Sequence, residues 1–116
     1  MAIVLTSVAC NALRRGGSPE DETDIITVSV ANHHQLDVAV FNVVHGRRDR
    51  LGQVTAAATM SFTLHLRRLP TNEIQLLADP VGSPRTFTSE LVRVVAGDTV
   101  QWTLESELSR SHIQIR

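Results

Sequence analysis

The chain has 116 residues, with 11 basic and 12 acidic side chains and a net charge of −1. That is room for one domain of the usual roughly 100–200 residues, and the charge balance excludes a polybasic, histone-like protein. Hydrophobic residues make up 42% and charged residues 20%, the usage of a folded globular chain and not of a disordered one.

What is missing narrows the chemistry further. Every basic residue is Arg; there is no Lys, no Tyr and a single Cys. A Schiff base, a P-loop lysine, an internal disulfide and a cysteine-rich zinc site are thereby excluded within these residues. Four aromatics, Phe41, Phe62, Phe87 and Trp102, are too few for a base-stacking platform, so no nucleic-acid partner is expected. No stretch approaches the roughly 18 apolar residues of a spanning helix.

In chain order, residues 1–10 (MAIVLTSVAC) form an apolar segment. Residues 11–24 contain Gly16-Gly17, Ser18-Pro19 and the acids Glu20, Asp21, Glu22 and Asp24. Gly and Pro interrupt regular structure and the acids repel one another, so this stretch reads as a flexible acidic tether. From residue 25 the dominant period is two. Ile26, Val28 and Val30 alternate with Thr27 and Ser29, the pattern of a strand with one buried face. Asn32-His33-His34 reads as a turn. Leu36, Val38 and Val40 start a second strand that runs to Val44, and His45 to Asp49 reads as a loop. Arg50 to Thr55 is a short third strand. Met60, Phe62, Leu64 and Leu66 then share one face of a fourth.

Past the break at Pro70-Thr71-Asn72, Glu73 to Ala78 reads as a strand, and Asp79 to Pro84 is rich in turn residues. Arg85 to Thr88 pairs briefly, Val92 and Val94 face inward, and Val100, Trp102 and Leu104 alternate with Thr99, Gln101 and Thr103. Ile113 and Ile115 close the chain. Seven or eight short strands at intervals of roughly 8–12 residues predict an all-β, two-sheet sandwich over residues 25–116. No α-helix is expected, because no window carries a 3.6-residue apolar stripe.

The stretch Leu77-Ala78-Asp79-Pro80-Val81-Gly82-Ser83, followed by Val92-x-Val94-x-x-Gly97-Asp98-Thr99-Val100-x-Trp102-Thr103-Leu104, resembles a group of uncharacterised bacterial envelope domains. These are short, lipoprotein-like, and read as immunoglobulin-like or transthyretin-like β-sandwiches. The resemblance implies a fold and an envelope or extracellular address, and no activity. The phrase from Val94 to Trp102 also resembles a strand of the cupredoxins. A blue-copper site needs two His, a Cys and usually a Met; here the one Cys precedes the sandwich and no Met accompanies His112, so copper is not expected.

Individual residues add little catalytic signal. His33, His34, His45, His65 and His112 form no H-x-H or H-x-x-x-H pair, and each reads as a solvated turn or surface side chain. No Ser stands in G-x-S-x-G or S-x-x-K, and Glu105 and Glu107 read as exposed carboxylates without a cleft. The expectation is no enzyme, no metal and no cofactor. Cys10, behind Ile3-Val4-Leu5 and Ala9, resembles the acylation site that ends a lipoprotein signal, here lacking its positively charged start. The alternative for residues 1–10 is a strand added to a sheet edge, the chain's own or a neighbour's. A meander of the second, third and fourth strands would gather Arg47, Arg48, Arg50, Arg67 and Arg68 on one rim, where guanidinium forks suit an acidic protein or an anionic glycan; the alternative is a solvated rim that keeps edges from pairing.

The functional expectation is a non-enzymatic envelope module, interacting or structural, tethered through its N-terminus, with membrane contact only through a lipid on Cys10. The alternative is a homo-oligomeric or fibre-forming subunit that uses N-terminal strand addition.

Overall fold

The computed structural model describes residues 24–116; the apolar segment 1–10, Cys10 and the tether as far as Thr23 lie outside the described residues. From Ile25 onward, β-branched residues alternate with polar ones, and each alternating run becomes a strand with one covered face. In chain order these are β1 (Ile25–Asn32), β2 (Val38–Val44), β3 (Arg47–Val54), β4 (Thr59–His65), β5 (Glu73–Ile74), β6 (Leu76–Pro80), β7 (Phe87–Thr88), β8 (Val92–Arg93), β9 (Thr99–Leu104) and β10 (His112–Ile115). The excess over the seven or eight expected comes from two-residue strands. There is no α-helix among the described residues, only single 3-10 turns at Leu66–Arg68 and Leu108–Arg110.

Two four-stranded sheets make the sandwich. One has the order β10-β9-β1-β4, the other β3-β2-β6-β7, and β5 and β8 form a small separate ribbon. β1 lies inside the first sheet, antiparallel to β4 (Val28 opposite Phe62) and parallel to β9 (Val28 opposite Val100, Val30 opposite Trp102). In the second sheet β2 is flanked antiparallel by β3 and β6. The inward residues of both sheets meet in one core: Ile26, Val28, Val30, Val100, Trp102 and Leu104 from the first, and Val38, Val40, Val54, Leu76 and Ala78 from the second. Phe62 and Val92, expected in the core, are only partly covered and pack against it, while Met60 is exposed.

The meander of β2, β3 and β4 is not formed. β2 and β3 are a hairpin, but β4 crosses to the opposite sheet and pairs with β1. The crossing is made at Thr55–Ala58, where Ala57 takes a left-handed φ of 64° and the Ala58 carbonyl accepts the Asn32 N–H at 2.8 Å. The loop expected at His45–Asp49 is also shorter. His45 and Gly46 both have positive φ, 51° and 77°, the twist of a two-residue hairpin turn, so Arg47, Arg48 and Asp49 already belong to β3.

Trp102 is fully buried and meets Phe87 of the facing sheet, with ring centroids 6.4 Å apart and planes inclined by 26°. Its indole N–H has no hydrogen-bond partner among the described residues. Trp102→Ala should destabilise the domain by about 3–5 kcal/mol in denaturant unfolding, and Trp102→Phe by less, because it also removes the unpaired donor. A loss under about 1 kcal/mol for the alanine variant would mean that the inward face of β9 has been misassigned.

Candidate functional site

One side of the sandwich is bounded by two edge strands, β3 of one sheet and β4 of the other. Neither has a second neighbour among the described residues, so each presents unpaired backbone groups. Between them runs an open groove of about 510 Å³, lined by Arg50 and Leu51 of β3, by Ser61 to His65 of β4, and by Arg68.

Its shape depends on a local irregularity. Val40 faces Gly52 and Phe41 faces Arg50, so Leu51 is an extra residue in β3, a bulge that increases the local twist. Beside it, the Phe62 ring reaches across from β4 and lies on Gly52. A Cβ at position 52 would sit 2.6 Å from Phe62 Cε1. Glycine inside a strand marks this kind of close approach, and the ring joins the two sheets where no hydrogen bond does.

The chain's geometry also places the Arg residues. The start of β1 lies against the end of β4, with Ile25 opposite His65 and the Leu66 N–H donating to the Asp24 carbonyl at 2.9 Å. Residues 67 and 68 follow in the 3-10 turn. The tip of the β2–β3 hairpin, Val43 to Gly46, borders a hollow shared with Pro70 and Thr71. Arg47, Arg48, Arg67 and Arg68 of the expected rim are therefore at the end of the sandwich where β1 begins, although not through a meander, while Arg50, opposite Phe41 in the middle of β2, lies further along β3. Arg50 and Arg68 share the groove. Arg50 donates weakly to Gln53 Oε1 at 3.4 Å, and Arg47 is drawn to Asp49 at 3.4 Å, on an exposed surface where such a pair is worth little.

His65 departs from the solvated reading. It is only partly exposed and lines the groove, and its Nδ1 is buried without a partner among the described residues. Phe62, Ser61 and Thr63 are not evident as site residues when β4 is placed beside β3 in a meander; Gly52, a glycine inside a strand, is the available signal. No three His, Cys, Asp or Glu side chains converge as metal ligands among the described residues. No helix among them is long and apolar enough to cross a membrane.

No family model matches the chain, and no curated protein matches it. Among solved structures, a protein from Eubacterium rectale determined by NMR is similar with a TM-score of 0.46 and 12% identity, covering 83% of this chain and 90% of that one. A likeness this loose carries no argument about function.

Gly52→Ala should destabilise the domain by about 1–3 kcal/mol, since the added methyl group must displace the Phe62 ring or the β3 backbone. Adding Phe62→Leu should recover part of that loss in the same thermal or denaturant unfolding assay. Equal losses for the single and double variants would show that the ring contact does not set the spacing of the two edges.

Proposed function

We propose that the domain is a non-enzymatic interaction or structural module of the cell envelope, held through its N-terminal segment, and that the groove between β3 and β4 is the face that takes an acidic partner. The observation that carries this reading is that Arg50 and Arg68 line one groove between two strand edges that have no second neighbour among the described residues. Guanidinium groups supply planar donor forks for carboxylate, sulfate or phosphate oxygens, and the edges supply backbone donors and acceptors for an extended chain. The partner class is an acidic protein segment or an anionic glycan.

The first described residue, Asp24, lies against Leu66, next to Arg67 and Arg68. Near anionic head groups each Arg would add roughly 1 kcal/mol. A second reading, assembly by strand addition, is favoured by the same two edges, which would accept an apolar strand such as residues 2–9 from a neighbouring copy.

Binding of a sulfated glycan such as heparin to the full chain should weaken with salt. Arg50→Gln with Arg68→Gln should weaken it by about fivefold, the sum of two exposed charge contacts, while Arg110→Gln, beyond the groove, should leave it unchanged. Equal losses for both variants, or no binding at low salt, would overturn the groove as the acidic-partner face. Elution near 12.7 kDa in size-exclusion chromatography would count against strand-addition assembly, and a ladder of multimers would favour it.

A further inference from the structure

At the end of the sandwich opposite the Arg-rich rim, three loops converge: β1 to β2, β6 to β7, and β9 to β10. They border a partly open hollow of about 200 Å³. We propose that this hollow binds a small monocarboxylate with a flat apolar body, a site separate from the groove and independent of the reading above.

Hydrogen bonds brace the loops from within. Asn32, fully buried, donates from Nδ2 to the carbonyls of Leu36, Val54 and Thr55 at 3.0, 3.1 and 3.3 Å, and its Oδ1 accepts the His34 N–H at 2.9 Å. His34 Nδ1 accepts the Leu36 N–H at 3.1 Å, so a neutral ring carries its proton on Nε2. This histidine is only 8% exposed and lines the cavity, in place of the solvated turn residue expected from sequence. Ser83 Oγ accepts the Arg85 N–H at 3.2 Å, and Ser111 Oγ accepts the Glu105 N–H at 3.0 Å, which braces the second and third loops. Ser106 Oγ donates across to the His33 carbonyl at 3.4 Å. A cavity whose walls are already held loses little entropy on binding.

Its lining divides into two kinds. Pro80, Phe87 and Leu108 form an apolar wall, and Phe87 is backed by Trp102. The exposed residues Arg85, Thr86 and Ser109 also line it, and between them carry a guanidinium and two hydroxyls. An apolar wall facing a few convergent polar groups is the usual composition of a small-molecule site, here smaller than the roughly 300–1,000 Å³ of drug-sized ligand pockets, which limits the ligand to about one ring. Glu107 also lines the cavity; it repels a second negative charge, so a monoanion is preferred to a dianion.

The test is a titration of the full chain with benzoate, benzamide and phthalate, followed by amide chemical shifts and by fluorescence of Trp102, the single tryptophan. Benzoate should produce saturable shifts at His34, Arg85 to Phe87 and Ser106 to Ser109, and should change the Trp102 emission through Phe87. Benzamide and phthalate should bind more weakly, benzamide by about tenfold for loss of a charge-assisted hydrogen bond. Arg85→Gln should reduce benzoate to the level of benzamide, with its melting temperature unchanged, and Arg116→Gln should have no effect. Shifts that do not saturate, that map to another surface, or that survive Arg85→Gln at full strength would overturn the proposal.

Discussion

The parallel pairing of β1 with β9 is the constraint on which the rest of the sandwich depends. It places the first described strand inside a sheet, with β4 on its other side, so that Val28 and Val30 are covered by β9 and β4 laterally and by the second sheet from above. Two interior edges are satisfied at once, and the Trp102 ring, carried by β9, is brought under Phe87 of the other sheet. Parallel strands need a long crossover; here nearly the whole domain, from β2 to β8, lies between the two.

That one strand also separates the two ends of the molecule. Its beginning, at Asp24 and Ile25, lies against His65 and Leu66 and so fixes where the chain meets the Arg-rich rim. Its last residue, Asn32, is the buried amide that shapes the loop carrying His34. The Arg residues around the start of β1 sit at one end, a braced hollow at the other, and along the side between them Phe62 lies on Gly52 beneath the open groove.

Much of this was legible as period-two alternation. Ile26, Val28 and Val30, or Val100, Trp102 and Leu104, announce a covered face because side chains alternate across a strand, and all six are buried. Alternation does not say which sheet a strand joins. The transfer of β4 away from β3 depends on the left-handed turn at Ala57, a conformation that Ala-Ala-Ala does not advertise, and the meander was the simpler expectation. The hairpin tip was missed for a similar reason: His45-Gly46 adopts a turn more often signalled by Asn-Gly or Asp-Gly. The burial of His34 was hidden because it follows from the hydrogen bonds of Asn32, a residue that in sequence reads as a turn former. Arg47, Arg48, Arg67 and Arg68 share one end because the β2–β3 hairpin and the exit from β4 reach it in either topology.

Native-state hydrogen exchange of the full chain tests the central place of β1 most directly. If β1 locks both flanking strands, the amides of Val28 and Val30 that bond within the sheet, with those of β9, should exchange only through global unfolding and be the slowest in the protein. Faster exchange in β1 than in β2 and β6 would contradict the account, since it would show that the first sheet opens while the second remains intact.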